Sequence, residues 1–536
     1  MFSKSRFIGA ASFSAYLFSI LSLLLMAHPA FATTRYIAQT AGTFSGGSAC
    51  NGQTAITAAT WNSTPESPGD VSYVCGTITG TAGQILLGFA WSGSSSNPIT
   101  LIFDTGAILA SPVWSNVGAI NVYNLSNIVI NGGTNGTIEN TANGQGLTYN
   151  QETVGVGIQD GSSNITVENL TIKNMCVVTA ANVTGTPCVT SGNFSSDISV
   201  TDTSGGTFSS IHVIGNTLSD SYTSLYIHGT ALDTDMLFQH NTVRGVNWGF
   251  ATDGTNNLTI DGNDIACVVG ATCNWDDSAD DNHHNGIFIF PQSFAMKVIA
   301  VTNNWVHDFI GHTTAYYFND PDGSGSSEAG TVFYNNVFST TAGQTGPANG
   351  DVLPPDGSTI VNNTFSGPTT CEIDLTGSDI FKNNIVSSPG LYVACVNGSG
   401  NTFAYNDHYN VGQGWTNGSG TIWGSLSSWI SSSTSFCSGG CDATGSIVAN
   451  PNLSSTFTLQ SGSAAIGAGT NLSSLGTTGL SQGAPQTFGA SYACGTGCLS
   501  RPSSGAWDIG AYPNSGGSAG TKPNPPTNLT GTVVVN

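Results

Sequence analysis

Between Ser209 and Ser388 short runs of alternating apolar and polar residues recur. Each closes on Asn or Asn-Asn and is followed by a second short apolar run. The phrase stands at Ile211-His212-Val213-Ile214-Gly215-Asn216, at Met236 to Asn241 and at Leu258 to Asn263. It returns at Val298 to Asn304, Val332 to Asn336, Ile360 to Asn363 and Ile380 to Asn384. Asn-to-Asn intervals are 25, 22, 41, 32, 27 and 21 residues. A period of two over strand-length runs, with Gly and Asn between them, predicts β-strands rather than helices. A fixed phrase with variable insertions predicts a solenoid whose loops leave at set corners. Asn tolerates the left-handed backbone of such a corner, and stacked Asn side chains can bond from coil to coil. The expected fold is therefore all-β, a right-handed parallel β-helix with terminal caps.

Read in order, residues 1–32 resemble an export leader. Lys4 and Arg6 precede an apolar run to Met26, and Ala30-Phe31-Ala32 offers an A-x-A cleavage site. No later stretch is apolar for the roughly 20 residues that a spanning helix needs. Residues 33–97 read as an N-terminal cap with a first disulfide loop, 98–412 as coils, 413–513 as terminal coils and cap, and 514–536 as a Gly/Pro-rich tail. Most Asn phrases are followed by a further strand, such as Leu225-Tyr226-Ile227 or Ala315-Tyr316-Tyr317-Phe318. Stacked, these form one sheet whose expected outward residues include His228, Asp253, Phe288, Phe290, Tyr317 and Asp374.

Charge narrows the partners. The chain carries 31 acidic and 9 basic residues, a net charge of −22, which disfavours nucleic acid and anionic membranes. Although 69 residues are Gly, the regular alternation argues against disorder. The 12 Cys fall in sequence-near couples: Cys50/Cys75, Cys176/Cys188, Cys267/Cys273, Cys371/Cys395, Cys437/Cys441 and Cys494/Cys498. Such couples in an exported chain read as local disulfide staples and place the protein outside the cell or at its surface. A monomer is expected.

The Asn phrases, the ending "SGSAAIGAG … WDIGAY" and the opening "RYIAQTAGTFSGGSACNG … NPITLIFDTGAIL" resemble secreted bacterial right-handed β-helix proteins of the pectate-lyase-like superfamily (pectin lyase fold). The resemblance spans nearly the whole chain after residue 32. It implies the fold and a polysaccharide ligand or substrate, but not one activity, because the superfamily holds lyases, hydrolases, epimerases and adhesins.

The longest interval in the Asn series, from Asn263 to Asn304, carries the densest polar cluster. It contains Trp275, Asp276, Asp277, Asp280, Asp281, His283 and His284; His307, Asp308, His312, Tyr316 and Tyr317 follow. Enlarged loops beside one sheet are where a groove and its chemistry are expected. One reading has Asp276, Asp277 and Asp280 bind Ca²⁺, which prefers several oxygen ligands, so that it neutralises a uronate while a base drives β-elimination. Arg244, Lys297, His284 and His307 are the candidate bases. A second has two carboxylates among Asp253, Asp281 and Asp308 hydrolyse a glycosidic bond, with His283 or His284 assisting. Trp248, Trp275, Trp305, Tyr316 and Tyr317 would stack on sugar rings, with His228 and His312 beside them. The contrasting reading is a non-catalytic adhesin in which the solenoid is a stiff spacer and the acidic loop is simply solvated.

Overall fold

Alternating residues put every second side chain on one side of a strand, and here that side faces a common interior. In the computed structural model, Ile128 and Ile130 lie directly above Ile165 and Val167, which lie above Ile211 and Val213. Met236/Phe238 and Leu258/Ile260 continue the same two columns. All ten are essentially without exposed surface. The structure describes residues 32–178, 185–190, 193–202, 204–229, 233–268, 273–275, 283–291, 296–297, 299–309, 315–319, 328–341, 352–367, 371–387, 391–417, 419–473, 475, 505–512 and 514. The leader-like segment, Asp276, Asp277, Asp280, Asp281, His312 and Cys494/Cys498 lie outside these residues.

Three long parallel sheets of 13, 12 and 9 strands wind round that interior as a right-handed β-helix. One coil runs from the first sheet through the second to the third; Asp233–Gln239, Thr242–Arg244 and Trp248–Thr252 form such a coil. Among the described residues stacking starts at Thr34–Ile37, so the stretch read as a cap already supplies strands. Among the described residues only Ala58–Asn62 and Leu426–Ser432 are α-helical.

The Asn series becomes a continuous ladder at the corner between the first and second sheets. Each Asn Oδ1 accepts from the backbone N–H and the Nδ2 of the Asn one coil earlier, at 2.8–3.4 Å, from Asn216 to Asn406. Asn406, unread in the sequence pattern, is the last rung, and Asp442 closes the ladder by accepting from its Nδ2 at 2.9 Å. The left-handed conformation expected of the ladder Asn belongs instead to the residue before it: Gly215, His240, Gly262, Asn303, Asn335, Asn362, Asn383 and Tyr405. The ladder Asn is selected for its side-chain amide, which is both donor and acceptor, rather than for its backbone.

The ending motif also departs from a terminal cap. Trp507 and Ile509 pack against the flank of the stack, on Tyr334, Val361 and Ile385, and Asn362 and Asn383 donate to Asp508 O and Thr470 O. The first sheet carries the apolar Ala300, Val332 and Val361 outward at this point, and that surface must be covered. The short helix Leu426–Ser432 lies instead against the last described coil, where its Trp429 packs on Phe403 and Trp415. All five expected disulfides that fall among the described residues are formed, in keeping with an oxidising compartment. No helix among the described residues is long and apolar enough to cross a membrane.

Candidate functional site

The candidate residues separate onto two faces, because successive strands of one coil belong to different sheets. Arg244, Trp305 and His307 project from the second sheet. There His307 binds Asp264 Oδ1 through Nε2 at 2.9 Å and Asp308 Oδ2 through Nδ1 at 2.7 Å, while Arg244 Nη2 meets Asp264 at 2.8 Å. Trp305 stacks on the imidazole at 3.7 Å between ring centroids. Thr341 donates twice to Asp308. Burial works against the Asp264 charge, yet the His307 hydrogen bond and the Arg244 cation hold its carboxyl well below the usual range. The Asp308 carboxyl is likewise held low against burial, by His307 and Thr341. Both imidazole nitrogens are engaged, so this network locks the second sheet's outer surface together.

Asp264 was not among the residues singled out from sequence. Its signal was present, since it directly follows the ladder residue Asn263; the structure then pairs it with Thr242 and Trp305.

Three candidates lie inside the helix. Tyr316 and Tyr317 have no exposed surface; Tyr316 donates its hydroxyl to Ser339 O at 2.6 Å, and Tyr317 packs edge-on against Phe333 at 4.7 Å. Tyr317 pairs with Ile287, which places it in an inward column and not among the outward residues expected. His284 is equally buried. Trp275, next to the Cys267–Cys273 disulfide, is also covered and donates Nε1 to Gly245 O at 2.9 Å. These four residues pack the structure rather than offer a surface to a sugar.

On the third sheet the arrangement differs. Tyr226, Ala251, Phe288 and Phe318 form one outward row, pairing strand to strand. Phe288 stacks on Phe318 at 5.7 Å and on Phe290 at 4.7 Å; Trp248 leans on Phe288 at 4.9 Å and donates to His283 O at 2.8 Å. Beside this row, His228 Nδ1 is bound to Asp253 Oδ2, and Tyr226 lies parallel to the imidazole at 5.6 Å and 5°. Asp253 is buried, whereas the His228 side chain is 33% exposed. Its Nε2 makes no hydrogen bond among the described residues. The Asp253 hydrogen bond raises the His228 pKa against the effect of burial, with Asp202 and Asp233 adding to the field. Burial and the neighbouring Asp253 and Asp202 push the Asp233 carboxyl up to about 7.

A histidine fixed at one nitrogen by a buried carboxylate, with the other nitrogen available, is the geometry of a proton-transfer group. No cluster of three or more His, Cys, Asp or Glu able to hold a metal ion occurs among the described residues.

No family model matches the chain, and no curated protein matches it in sequence. Among solved structures, it is similar to a GH136 lacto-N-biosidase from Eubacterium ramulus (12% identity, TM-score 0.41, covering 76% of this chain and 70% of that one). It is also similar to pectate lyase Pel9A (15% identity, TM-score 0.41, covering 90% and 97%). A third likeness is to the periplasmic alginate epimerase AlgG (11% identity, TM-score 0.30, covering 66% and 76%). The fold assignment stands on the strand register itself.

Proposed function

We propose that this chain is an exported, monomeric carbohydrate-active β-helix protein that holds an extracellular polysaccharide along the outer face of its third sheet. His228, oriented by Asp253, moves the proton in bond cleavage. The observation that supports this reading is the His228–Asp253 pair beside the outward aromatic row of Tyr226, Phe288 and Phe318. Aromatic faces stack on the apolar faces of sugar rings, and a partly exposed imidazole held at one nitrogen by a carboxylate can give and take a proton through the other. Ca²⁺ held by Asp276, Asp277 and Asp280 would serve β-elimination on a uronate; a water attack aided by His228 would give hydrolysis.

The test is turnover of acidic and neutral polysaccharides, with Ca²⁺ and with EDTA, following unsaturated-uronate absorbance and reducing ends together. His228→Gln is expected to lower the rate at least about 100-fold, as for loss of a general acid or base. Absorbance lost in EDTA identifies a metal-assisted lyase, and reducing ends alone identify a hydrolase. Silence in both channels with glycan binding retained would replace this reading by the adhesin.

A further inference from the structure

One cleft on the third sheet is lined, apart from Tyr226, by residues not considered so far. It sits between residues 116–117 and the strands Val154–Gln159, Ser196–Thr201 and Thr223–His228, with a volume of about 140 Å³. Glu152 stands at one side, Phe194 and Tyr226 form the wall, and Gln159, Ser199 and Thr201 supply polar groups. Its space arises because Gly157 pairs with the small Ser199, where the next strand places the ring of Tyr226.

We propose that this cleft is a subsite for one uncharged sugar unit of the glycan, next to His228. The inference rests on the reading of the third sheet as a glycan groove, and it names the substrate class. Four observations carry it. Ser199 pairs with Tyr226 and Thr201 with His228, so the strand that lines the cleft lies one backbone spacing, about 4.8 Å, from the strand that carries His228. Phe194 and Tyr226 meet at 90° and 5.5 Å, an aromatic corner suited to a ring seated against it.

The polar groups are also left with capacity. Gln159 Oε1 accepts from Asn121 Nδ2 at 2.7 Å, which turns the Gln159 amide NH₂ away with no partner among the described residues. Ser199 and Thr201 share one hydrogen bond at 2.5 Å, and the Glu152 carboxyl makes none among the described residues. Finally, no described residue lining the cleft is basic, so a uronate carboxylate entering it would meet Glu152 and no compensating cation.

Burial pushes Glu152 up to about 7, with no charged neighbour contributing. Below that pH the carboxyl is neutral and donates a hydrogen bond. Above it the group is an anion that a bound sugar would desolvate further. Affinity for a neutral glycan therefore falls as pH rises through 7.

The experiment is calorimetric titration of the whole chain with neutral gluco-, xylo- and manno-hexasaccharides and with hexagalacturonate, at pH 6 and pH 8.5. At least one neutral hexasaccharide is expected to bind at pH 6, about tenfold more weakly at pH 8.5, and at least tenfold more tightly than hexagalacturonate. Glu152→Gln should abolish the pH dependence and keep the pH 6 affinity, which also guards against misfolding of the cleft-filling Ser199→Trp, expected to bind nothing. Hexagalacturonate binding as tightly as any neutral probe, a pH dependence that survives Glu152→Gln, or no binding of any neutral probe overturns the inference. These titrations need no turnover, so failure of the His228 reading, seen as activity that survives His228→Gln, is separately visible.

Discussion

Replacement of Asn304 by Ala tests whether the Asn ladder holds the coils together or merely accompanies them. The Asn304 side chain makes four hydrogen bonds in the interior. Its Oδ1 accepts the Asn263 backbone N–H and Asn263 Nδ2, both at 2.9 Å; its Nδ2 donates to Ile260 O at 2.8 Å and Asn336 Oδ1 at 3.0 Å. Asn336 Oδ1 keeps the Asn304 backbone N–H, and Asn263 Nδ2 keeps Phe238 O. The Asn263 N–H is left without its acceptor and one Asn263 amide hydrogen is stranded, while the Ile260 carbonyl loses its side-chain partner but keeps its place in the strand ladder.

A buried polar group left unpaired costs about 1–3 kcal/mol, so two give a loss of roughly 2–4 kcal/mol after partial relaxation. Guanidinium unfolding followed by far-UV circular dichroism reads the total. Hydrogen exchange resolved to Asn263 reads the local effect, because that amide loses its acceptor and must exchange faster. Asn97→Ala, at an exposed position, is the control. If Asn304→Ala cost less than about 1 kcal/mol, or left Asn263 exchange unchanged, the ladder would be a by-product of strand stacking and the reasoning would fail.

Other perturbations have equally definite outcomes. Asp104 accepts from Ser48, Ala49, Cys50 and Thr105 at 2.6–3.1 Å and is held at about 2, so its contribution is present above pH 3.8 and is lost as pH falls through 2; Asp104→Asn should cost about 2 kcal/mol at neutral pH in a denaturant titration. Burial pushes Glu66, Glu152, Asp233 and Asp379 up to about 7 and Asp407 to about 6. An acid whose folded pKa lies above its unfolded value stabilises at low pH and loses that contribution as pH rises from about 4 to 7. The melting temperature should therefore be at least about 5 °C higher at pH 5 than at pH 8, and a flat or opposite calorimetric profile would contradict it. Arg244→Ala should lower stability by about 1–3 kcal/mol, by leaving the buried Asp264 carboxylate with His307 but without its cation, while turnover per folded molecule stays at the wild-type level.

The chain's local chemistry was enough to establish the coils. Alternation declared the strands and the recurring Asn declared the corners, because strand faces and corner amides are decided within a few residues. The seven ladder positions read from the sequence are all rungs in the structure. Asn406 escaped because its strand, Thr402–Ala404, follows Gly-Ser rather than an apolar run, though its amide does the same work. The sequence-near cysteine couples were legible for the same local reason.

The site was legible only in part. Sequence proximity gathered His283, His284, His307, Asp308, Tyr316 and Tyr317 into one cluster. The winding of the coil then sent His307 and Asp308 to the second sheet and His283 to the third, and turned Tyr316, Tyr317 and His284 inward. A one-residue step along a strand reverses the face of a side chain, and local pattern is weakest where two bulky residues such as Tyr316-Tyr317 stand together. Glu152, Gln159, Phe194, Ser199 and Tyr226 come from three different coils, and nothing in their own segments marks them as neighbours. Residues 20–50 apart along the chain become adjacent through strand spacing alone, so the cleft, its missing cation and its proximity to His228 belong to the tertiary structure.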